Sequence, residues 1–184
     1  MENLSSASGQ PARPEPPAVR RSDRAFADPA GVADVLRRGE VGHLGLTDAA
    51  GPYVVPVSYG FVARDDGITI YLHGAGEGRK AAAIAAGLPV CFEVAIRHGL
   101  HGLDATVCDL GVDYESVIGF GRGRLVTDPA ERRAGLVAVV DHYQPGRGQE
   151  TPDPAPDRVT LLALDLTTWS GKRCLPPGAV PAAE

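Results

Sequence analysis

Apolar and polar residues alternate over six short stretches of the chain, with the period of two that is typical of half-buried β-strands. The predicted strands cover residues 41–47, 53–63, 68–72, 88–96, 114–126 and 159–166. Pro56 lies inside the second strand and lacks a ladder donor, which predicts a sheet edge or a bulge there. Asp65, Asp66 and Gly67 predict a hairpin turn, and residues 98–112 show no clear period and are predicted to form a loop.

Three helices are predicted between these strands. Asp28-Pro29 and Asp128-Pro129 each pair an N-cap residue with proline at the first helical position. The third is the alanine-rich run from about Glu77 to Ala86. Since strands and helices do not alternate as β-α-β units, the pattern predicts an α+β fold built on an antiparallel barrel with two or three flanking helices.

The length of 184 residues suits one domain, and a hydrophobic share of 43% is enough for a core. Residues 1–22 are rich in Ser, Pro, Ala and Arg and lack an apolar signal segment, so they are predicted to be a disordered leader. The domain is expected over residues 23–175, followed by a loose Pro/Ala-rich tail at 176–184.

Charge and cysteine usage exclude several function classes. A net charge of −5 argues against a nucleic-acid partner, and no apolar run reaches the ~18 residues needed to cross a bilayer. Cys91, Cys108 and Cys174 are odd in number and lack C-x-x-C spacing, which favours a reducing cytoplasm over a disulfide framework or zinc ribbon. His98 and His101 have a spacing that suits metal ligands, but in a predicted loop they are expected to be solvated, and no metal site is predicted.

The segment from His73 to Lys80 has the character of an anion cradle. Three glycines allow a tight turn, the following helix would present free N–H groups, and Arg79 and Lys80 add two positive charges. The segment matches neither the P-loop nor the dinucleotide-binding fingerprint. On local sequence alone, a Gly-rich hairpin exit followed by a solvated basic helix start is an equal alternative.

Gly119, Gly121 and Gly123 occupy every second position of the fifth predicted strand. Glycines on one face of a strand leave room for a flat ligand or for a close backbone approach. A bulged or bent barrel strand explains them equally well.

Six motifs in this order resemble the FMN-binding split-barrel proteins of the pyridoxamine 5′-phosphate oxidase-like superfamily, and most of all the 5-nitroimidazole-resistance flavoproteins. The similarity extends over about residues 28–173. The motifs are Gly42–Leu46, Pro52–Tyr59, Tyr71–Ala75 with Gly78–Lys80, Val90–Val94, Tyr114–Gly121 and Trp169–Lys172. The resemblance implies a six-stranded antiparallel split β-barrel and a homodimer whose flavin sites lie across the interface.

The resemblance also implies cofactor-binding residues. The strand of Pro56, Val57, Ser58 and Tyr59 would follow the edge of the isoalloxazine through its backbone groups. The remaining set comprises the phosphate-side residues and those nearer the ring: His73, Gly74, Arg79 and Lys80, then Ser116, Trp169 and Lys172. Trp169 and Lys172 resemble a C-terminal segment that reaches the flavin from the partner subunit.

The function that this resemblance implies is an FMN-dependent oxidoreductase, of flavin reductase or nitroreductase type, acting on a small acceptor. Pyridoxamine phosphate oxidation is not expected, because Leu175-Pro176-Pro177 and an Ala/Pro tail stand where the oxidases carry a substrate-binding segment. The alternatives are a non-catalytic or sensory protein that binds flavin or haem, and a deazaflavin-dependent reductase. No spacing certifies a nucleophile with its base, so no catalytic residue is assigned.

Overall fold

A single antiparallel sheet organises the part of the chain that the computed structural model describes, residues 18–64, 67–103, 106–156 and 159–175. Two 3₁₀ turns, Ser22–Arg24 and Arg147–Glu150, accompany the strands and helices. In chain order these are β1 (Ala25–Phe26), α1 (Pro29–Arg38), β2 (Gly42–Asp48), β3 (Gly51–Val57), β4 (Gly60–Arg64), β5 (Gly67–Gly74), α2 (Arg79–Ala85), β6 (Pro89–His101), β7 (Gly111–Leu125), α3 (Pro129–Tyr143) and β8 (Thr160–Cys174).

The starts of α1 and α3 confirm the cap-plus-proline prediction. The Gly31 N–H donates to Asp28 Oδ1 at 2.7 Å, and the Glu131 N–H donates to Asp128 Oδ1 at 2.7 Å. In each helix the proline occupies a first-turn position whose N–H would have no intrahelical partner. Both helices therefore begin where side-chain chemistry satisfies the free backbone donors.

The strand order is β3-β2-β6-β7-β8-β5-β4, with β1 paired to β8 beside this path. The two edge strands, β3 and β4, are consecutive in the chain and are joined by Ser58 and Tyr59 alone. The sheet thus curls until its two edges meet at a two-residue link, without closing. This is the antiparallel α+β split barrel that was predicted, and β3 confirms the edge position predicted for Pro56.

The predicted count of six strands is wrong, because the described residues form eight. The predicted strand 53–63 is broken at Ser58 and Tyr59 into β3 and β4, which do not pair with each other. The short β1 adds the eighth strand. The last strand was predicted to end at residue 166, and it continues to Cys174 through a register irregularity opposite Phe120 and Gly121.

Both ends of the predicted loop at 98–112 are also different. Strand β6 continues to His101 and β7 begins at Gly111, with the register shifting between Arg97 and Gly99. Polar side chains at half-exposed positions hid the period of two there. The hairpin turn predicted at 65–67 falls on Asp65 and Asp66, which lie outside the described residues, as do residues 1–17 of the leader and the tail 176–184.

The main core lies between the inner face of the sheet and α1. Removal of this apolar surface from water is the chief favourable term in folding. Its fully buried members include Leu44, Phe92 and Val94 from the sheet and Val35 and Leu36 from the helix. A smaller cluster under α3 contains Tyr71, Val126, Val139, Leu161 and Ala163. Among the described residues, no helix combines the length and the apolar character needed to cross a bilayer.

The glycines of β7 serve close packing. A Cβ at Gly121 would collide with the backbone of Asp165, where the β7–β8 register shifts, and one at Gly123 would press on Ile84 at 2.8 Å. Gly119 likewise faces the Leu166 side chain. The structure therefore favours the bent, bulged strand over a face reserved for a flat ligand.

Candidate functional site

The segment that was predicted to be an anion cradle lies where β5 ends and α2 begins. Gly78, at the N-cap of α2, has φ +95°, which a residue with a side chain rarely adopts. Lys80 Nζ lies 3.4 Å from the place that a Cβ at Gly74 would occupy, so the ammonium rests against the glycine backbone. His73 is exposed, one residue before Gly74. Of the predicted phosphate-side residues, Lys80 and Gly74 are therefore in contact, and a role of the four in binding phosphate stays a prediction.

Arg79 has a partner that was not foreseen. Its Nε and Nη2 donate to the two carboxylate oxygens of Asp48 at 2.7 and 3.0 Å. The guanidinium carbon also lies 4.0 Å from the centroid of the Tyr53 ring, in cation–π contact. The Arg79 hydrogen bonds, joined by one from the Ala50 N–H, lower the pKa of Asp48. Asp48 is therefore ionised at neutral pH and offsets one of the two charges of the cradle.

An apolar groove of about 470 Å³ lies on the sheet face that carries Val54 and Cys91, across β2, β3, β6 and β7. The Tyr53 side chain, paired with buried Leu46, packs on the other face of the sheet against the core. The Tyr53 hydroxyl is buried and has no hydrogen-bond partner among the described residues. The lining residues are Gly45, Leu46, Thr47, Pro52, Tyr53, Val54, Pro89, Val90, Cys91 and Phe120.

A second cavity, of about 240 Å³, adjoins the groove at Phe120. It contains Ser116 and Lys172, which are cross-strand partners, together with Ile118 and Ser170, which are also partners. Its remaining wall is the chain segment Ala18, Val19 and Arg20. Part of the predicted leader therefore lies over two of the predicted cofactor residues.

The strand register places the predicted residues of three strands on one face of the sheet. Pro56 is opposite His43, His43 is opposite Glu93, and Glu93 is opposite Ile118. Since directly opposed residues share a face, the outer face carries Pro56 and Ile118 in one row. Ile118 is opposite Ser170, which extends this row to β8. The Ser116–Lys172 pair lies on the same face, two residues from Ile118 along β7.

The segment Pro56 to Tyr59 divides into exposed and buried parts. Pro56 and Ser58 are exposed and Val57 is half-buried, whereas Tyr59 is completely buried. The Tyr59 hydroxyl donates to the carbonyls of Leu36 and Gly39 at 2.6 and 3.1 Å, and its N–H donates to Tyr143 Oη at 3.0 Å. Burial raises the pKa of Tyr59 well above its ordinary value. A cofactor contact by Tyr59 stays a prediction, and its side chain and N–H already have internal partners.

Trp169 is held within the core and only 5% of it is exposed. Its indole Nε1–H donates to the carbonyl of Ala27 at 3.1 Å, which fastens the segment between β1 and α1 to β8. Trp169 and Lys172 both lie on β8, but only Lys172 reaches the cavity that holds Ser116. The predicted role of Trp169 against a flavin stays a prediction.

Sequence reasoning did not find four parts of this site. Asp48 and Tyr53 were interpreted as turn and strand residues, although an acid and an aromatic ring on neighbouring strands are natural partners for an arginine. Phe120 is the bulky residue between two of the glycines of β7. The segment Ala18–Arg20 carries no signal, since its composition matches the rest of the leader.

Comparison with known proteins agrees with this fold. A family model described as pyridoxamine 5′-phosphate oxidase matches residues 28–173. No curated protein matches the chain. Among solved structures, a protein from Bacteroides thetaiotaomicron described as a candidate 5-nitroimidazole antibiotic resistance protein has 26% identity and a TM-score of 0.65, covering 81% of this chain and 87% of that one.

Two further structures are similar in fold. The flavocytochrome Anf3 from Azotobacter vinelandii has 23% identity and a TM-score of 0.71, over 89% of this chain and 75% of that chain. An FAD and heme binding protein from Mycobacterium smegmatis has 22% identity and a TM-score of 0.70, over 85% and 77%. The matched family model extends from the cap of α1 nearly to the end of β8. The chain therefore belongs to the pyridoxamine 5′-phosphate oxidase family and has a split-barrel fold of the flavin-binding type.

Proposed function

We propose that this protein is an FMN-dependent oxidoreductase, of flavin reductase or nitroreductase type, that acts on a small acceptor. The observation that carries the proposal is the apolar groove on the outer face of the sheet, which meets the cavity of Ser116 and Lys172 at Phe120. A flavin mononucleotide joins a flat apolar ring to an anionic phosphate, and the groove and the cradle offer one surface for each. Family membership supports the same assignment.

The residues present fit a flavin. Val54, Cys91 and Phe120 give the groove an apolar lining suited to a flat ring, and Ser116 and Lys172 add polar groups in the adjoining cavity. The position of Lys80 against Gly74 leaves its three N–H donors for a phosphate, and a side chain at Gly74 would lie against the ammonium.

When bound, a flavin supplies the transfer of a hydride or of single electrons. The chain itself holds and orients the cofactor: Lys80 and Arg79 bind the phosphate, and the apolar groove walls exclude water from the ring. His73 and Gly74 lie beside the phosphate, while Pro56 to Tyr59, Ser116, Trp169 and Lys172 are proposed to be nearer the ring. We assign no side chain the role of a catalytic acid or base.

We also propose that the protein forms a homodimer. Val54 and Ile118 are 64% and 37% exposed, and they lie on the same outer face as the groove. A second copy of the chain would cover this apolar strip and bring its own Trp169–Lys172 segment to the flavin. Light scattering of the purified protein is expected to give twice the chain mass of 19.2 kDa.

Purification with and without added FMN tests the function. We expect the 370 and 450 nm absorption bands of a flavin, and oxidation of NAD(P)H coupled to a nitroaromatic or flavin acceptor in the reducing cytoplasm where we place the protein. Pyridoxamine phosphate is expected to be a poor substrate. A protein that shows no flavin band and takes up no FMN would contradict the proposal.

The second candidate is a non-catalytic or sensory protein that binds flavin or haem. Two neighbours in fold are described as a flavocytochrome and as an FAD and heme binding protein, and His73 is exposed beside the cradle. A Soret band without turnover of NAD(P)H would favour it. Thermal stabilisation by FMN, FAD, deazaflavin and haem, measured in parallel, distinguishes the four ligands, since a ligand at 100 times its Kd stabilises by about 2.7 kcal/mol.

A further inference from the structure

Three side chains of the kinds that bind metals meet at the far end of β6, β7 and β8. His101 ends β6, Asp113 lies near the start of β7, and Cys174 ends β8. One nitrogen, one oxygen and one sulfur from these residues all lie within 4.8 Å of one another. Within the described ranges, this is the one such group of three or more metal-binding side chains.

The backbone around the group makes room for it. His101 is paired across the strands with Gly111, and a Cβ at Gly111 would collide with the imidazole. Asp113 is paired with Gly99, and a Cβ there would lie 3.6 Å from Asp113 Oδ2. Gly111 therefore leaves the space over which the imidazole extends, whereas a Cβ at Gly99 would make only an ordinary contact with the carboxylate.

The imidazole and the carboxylate are already aligned. His101 Nδ1 lies 2.7 Å from Asp113 Oδ1, and the Asp113 side chain is 8% exposed. His101 is 41% exposed, so the group opens to solvent on one side. Cys174 is a free thiol and is half-buried.

We propose that His101, Asp113 and Cys174 form a zinc site. A thiolate, an imidazole and a carboxylate are the three ligand types that Zn²⁺ takes in proteins, whereas Mg²⁺ and Ca²⁺ avoid sulfur. One thiolate and one carboxylate also balance the two charges of the ion. Three protein ligands leave the fourth tetrahedral position for water or for a small external ligand.

Small side-chain movements are enough to form this site. Zinc–ligand bonds of ~2.0–2.3 Å place tetrahedral ligand atoms roughly 3.3–3.7 Å apart. The sulfur therefore moves inward by about 1 Å, and the His101–Asp113 contact opens slightly as the ion replaces the shared proton. Rotation of side chains near strand ends supplies both shifts.

The bound ion would join three strands that are distant in the sequence. His101 and Asp113 are 12 residues apart, and Asp113 and Cys174 are 61 residues apart. A link of this kind restricts the unfolded chain more than the folded one. The site is separate from the proposed flavin groove, and it lies on the same two strands that carry Ser116 and Lys172.

Zinc titration of the full-length protein tests this proposal. After treatment with a chelator and dialysis, calorimetry with Zn²⁺ is expected to give one site per chain with a Kd of about 1 μM or less, and the melting temperature is expected to rise with zinc but not with Mg²⁺. Co²⁺ in place of zinc should give a thiolate-to-metal charge-transfer band. Cys174→Ser and His101→Gln should each weaken binding at least tenfold.

Controls separate this site from adventitious binding. Cys108→Ser removes an exposed thiol from the loop between β6 and β7 that is not one of the three ligands, and it should leave the zinc affinity unchanged. In the unmutated protein, bound zinc should protect Cys174, and not Cys108, from alkylation as read by mass spectrometry, a result that does not depend on any variant folding. Equal affinity in Cys174→Ser and the unmutated chain, or zinc protection of Cys108 instead, would overturn the proposal.

Discussion

The guanidinium of Arg79 binds the carboxylate of Asp48 with two hydrogen bonds, of 2.7 and 3.0 Å. A phosphate in the cradle has to share Arg79 with this acid or displace it. Among the described residues, Lys80 by contrast makes no ion pair, and its ammonium lies against the Gly74 backbone. Arg79 is therefore ion-paired and Lys80 is not, although they are adjacent in the sequence. We expect Asp48 to set the affinity of the cradle for phosphate through its competition for Arg79.

Asp48→Asn is expected to increase the affinity for FMN by about two- to fivefold, because an exposed ion pair of this kind is weak and its loss frees Arg79. Asparagine keeps an acceptor for the Ala50 N–H, which bonds to Asp48 at 2.9 Å. Riboflavin, which lacks the phosphate, should bind unchanged. Fluorescence titration with both ligands measures this, with Glu150→Gln, an ion-paired acid elsewhere, as the control. Weaker FMN binding in Asp48→Asn would contradict the assignment.

Arg79→Ala combined with Lys80→Ala is expected to lower FMN affinity by about 100-fold or more, since charge-assisted bonds to the phosphate are lost. Lys80→Ala alone should cost more than Arg79→Ala alone, because Arg79 gives up its bonds to Asp48 when it binds phosphate. Riboflavin affinity should change little. Isothermal titration with both ligands checks the result, and equal losses for FMN and riboflavin would place the phosphate elsewhere. Arg147→Ala is a matched surface control.

Tyr59→Phe is expected to lower the free energy of unfolding by about 1–2 kcal/mol, because the carbonyls of Leu36 and Gly39 lose a buried donor. Urea unfolding followed by circular dichroism measures the loss. FMN affinity should stay within twofold of the unmutated protein, since the hydroxyl is directed into the core. A tenfold loss of affinity with unchanged stability would show instead that Tyr59 reaches the cofactor.

Glu115 connects three elements from a side chain with no solvent exposure. It accepts bonds from Arg38, His98 and Arg173 at 2.8, 3.0 and 2.8 Å. Burial alone would raise the pKa of Glu115, and the bonds from Arg38 and Arg173 offset this, so that the pKa lies below its ordinary value of 4.5. Glu115→Gln is expected to destabilise the fold by roughly 2–4 kcal/mol at pH 7, less than a fully buried pair because the partners are partly solvated.

The pH dependence of that loss has a definite sign. A carboxylate whose pKa is lowered on folding contributes stability above its unfolded pKa, and this contribution is lost as the pH falls through the folded value. The difference between the unmutated protein and Glu115→Gln should therefore be largest above pH 4.5 and should shrink below it. Urea unfolding from pH 7 to pH 3 measures it, with Glu40→Gln as an exposed control. A difference that grows toward low pH would contradict the account.

Local chemistry made much of the fold predictable, whereas contacts between distant residues were not. Asp28-Pro29 and Asp128-Pro129 specify helix starts through a contact between residues three positions apart in the sequence. Pro56 alone indicates an edge strand. The break at Ser58 and Tyr59 was missed because the β-prone residues around it continue without a turn signal. The ion pair of Asp48 with Arg79 joins residues 31 positions apart, and no local pattern reports such a pairing.

The seam between β3 and β4 has a consequence for how a ligand exchanges with the barrel. The β2–β3 hairpin, which carries Asp48 and Tyr53, is joined to the rest of the sheet by three cross-strand pairs on β6 and by the link through Ser58 and Tyr59. Segments with few such bonds open most readily, well below the free energy of global unfolding. Breathing of this hairpin would open the groove between β2 and β6, so we expect the entry and departure of the proposed cofactor to follow the opening of this short junction.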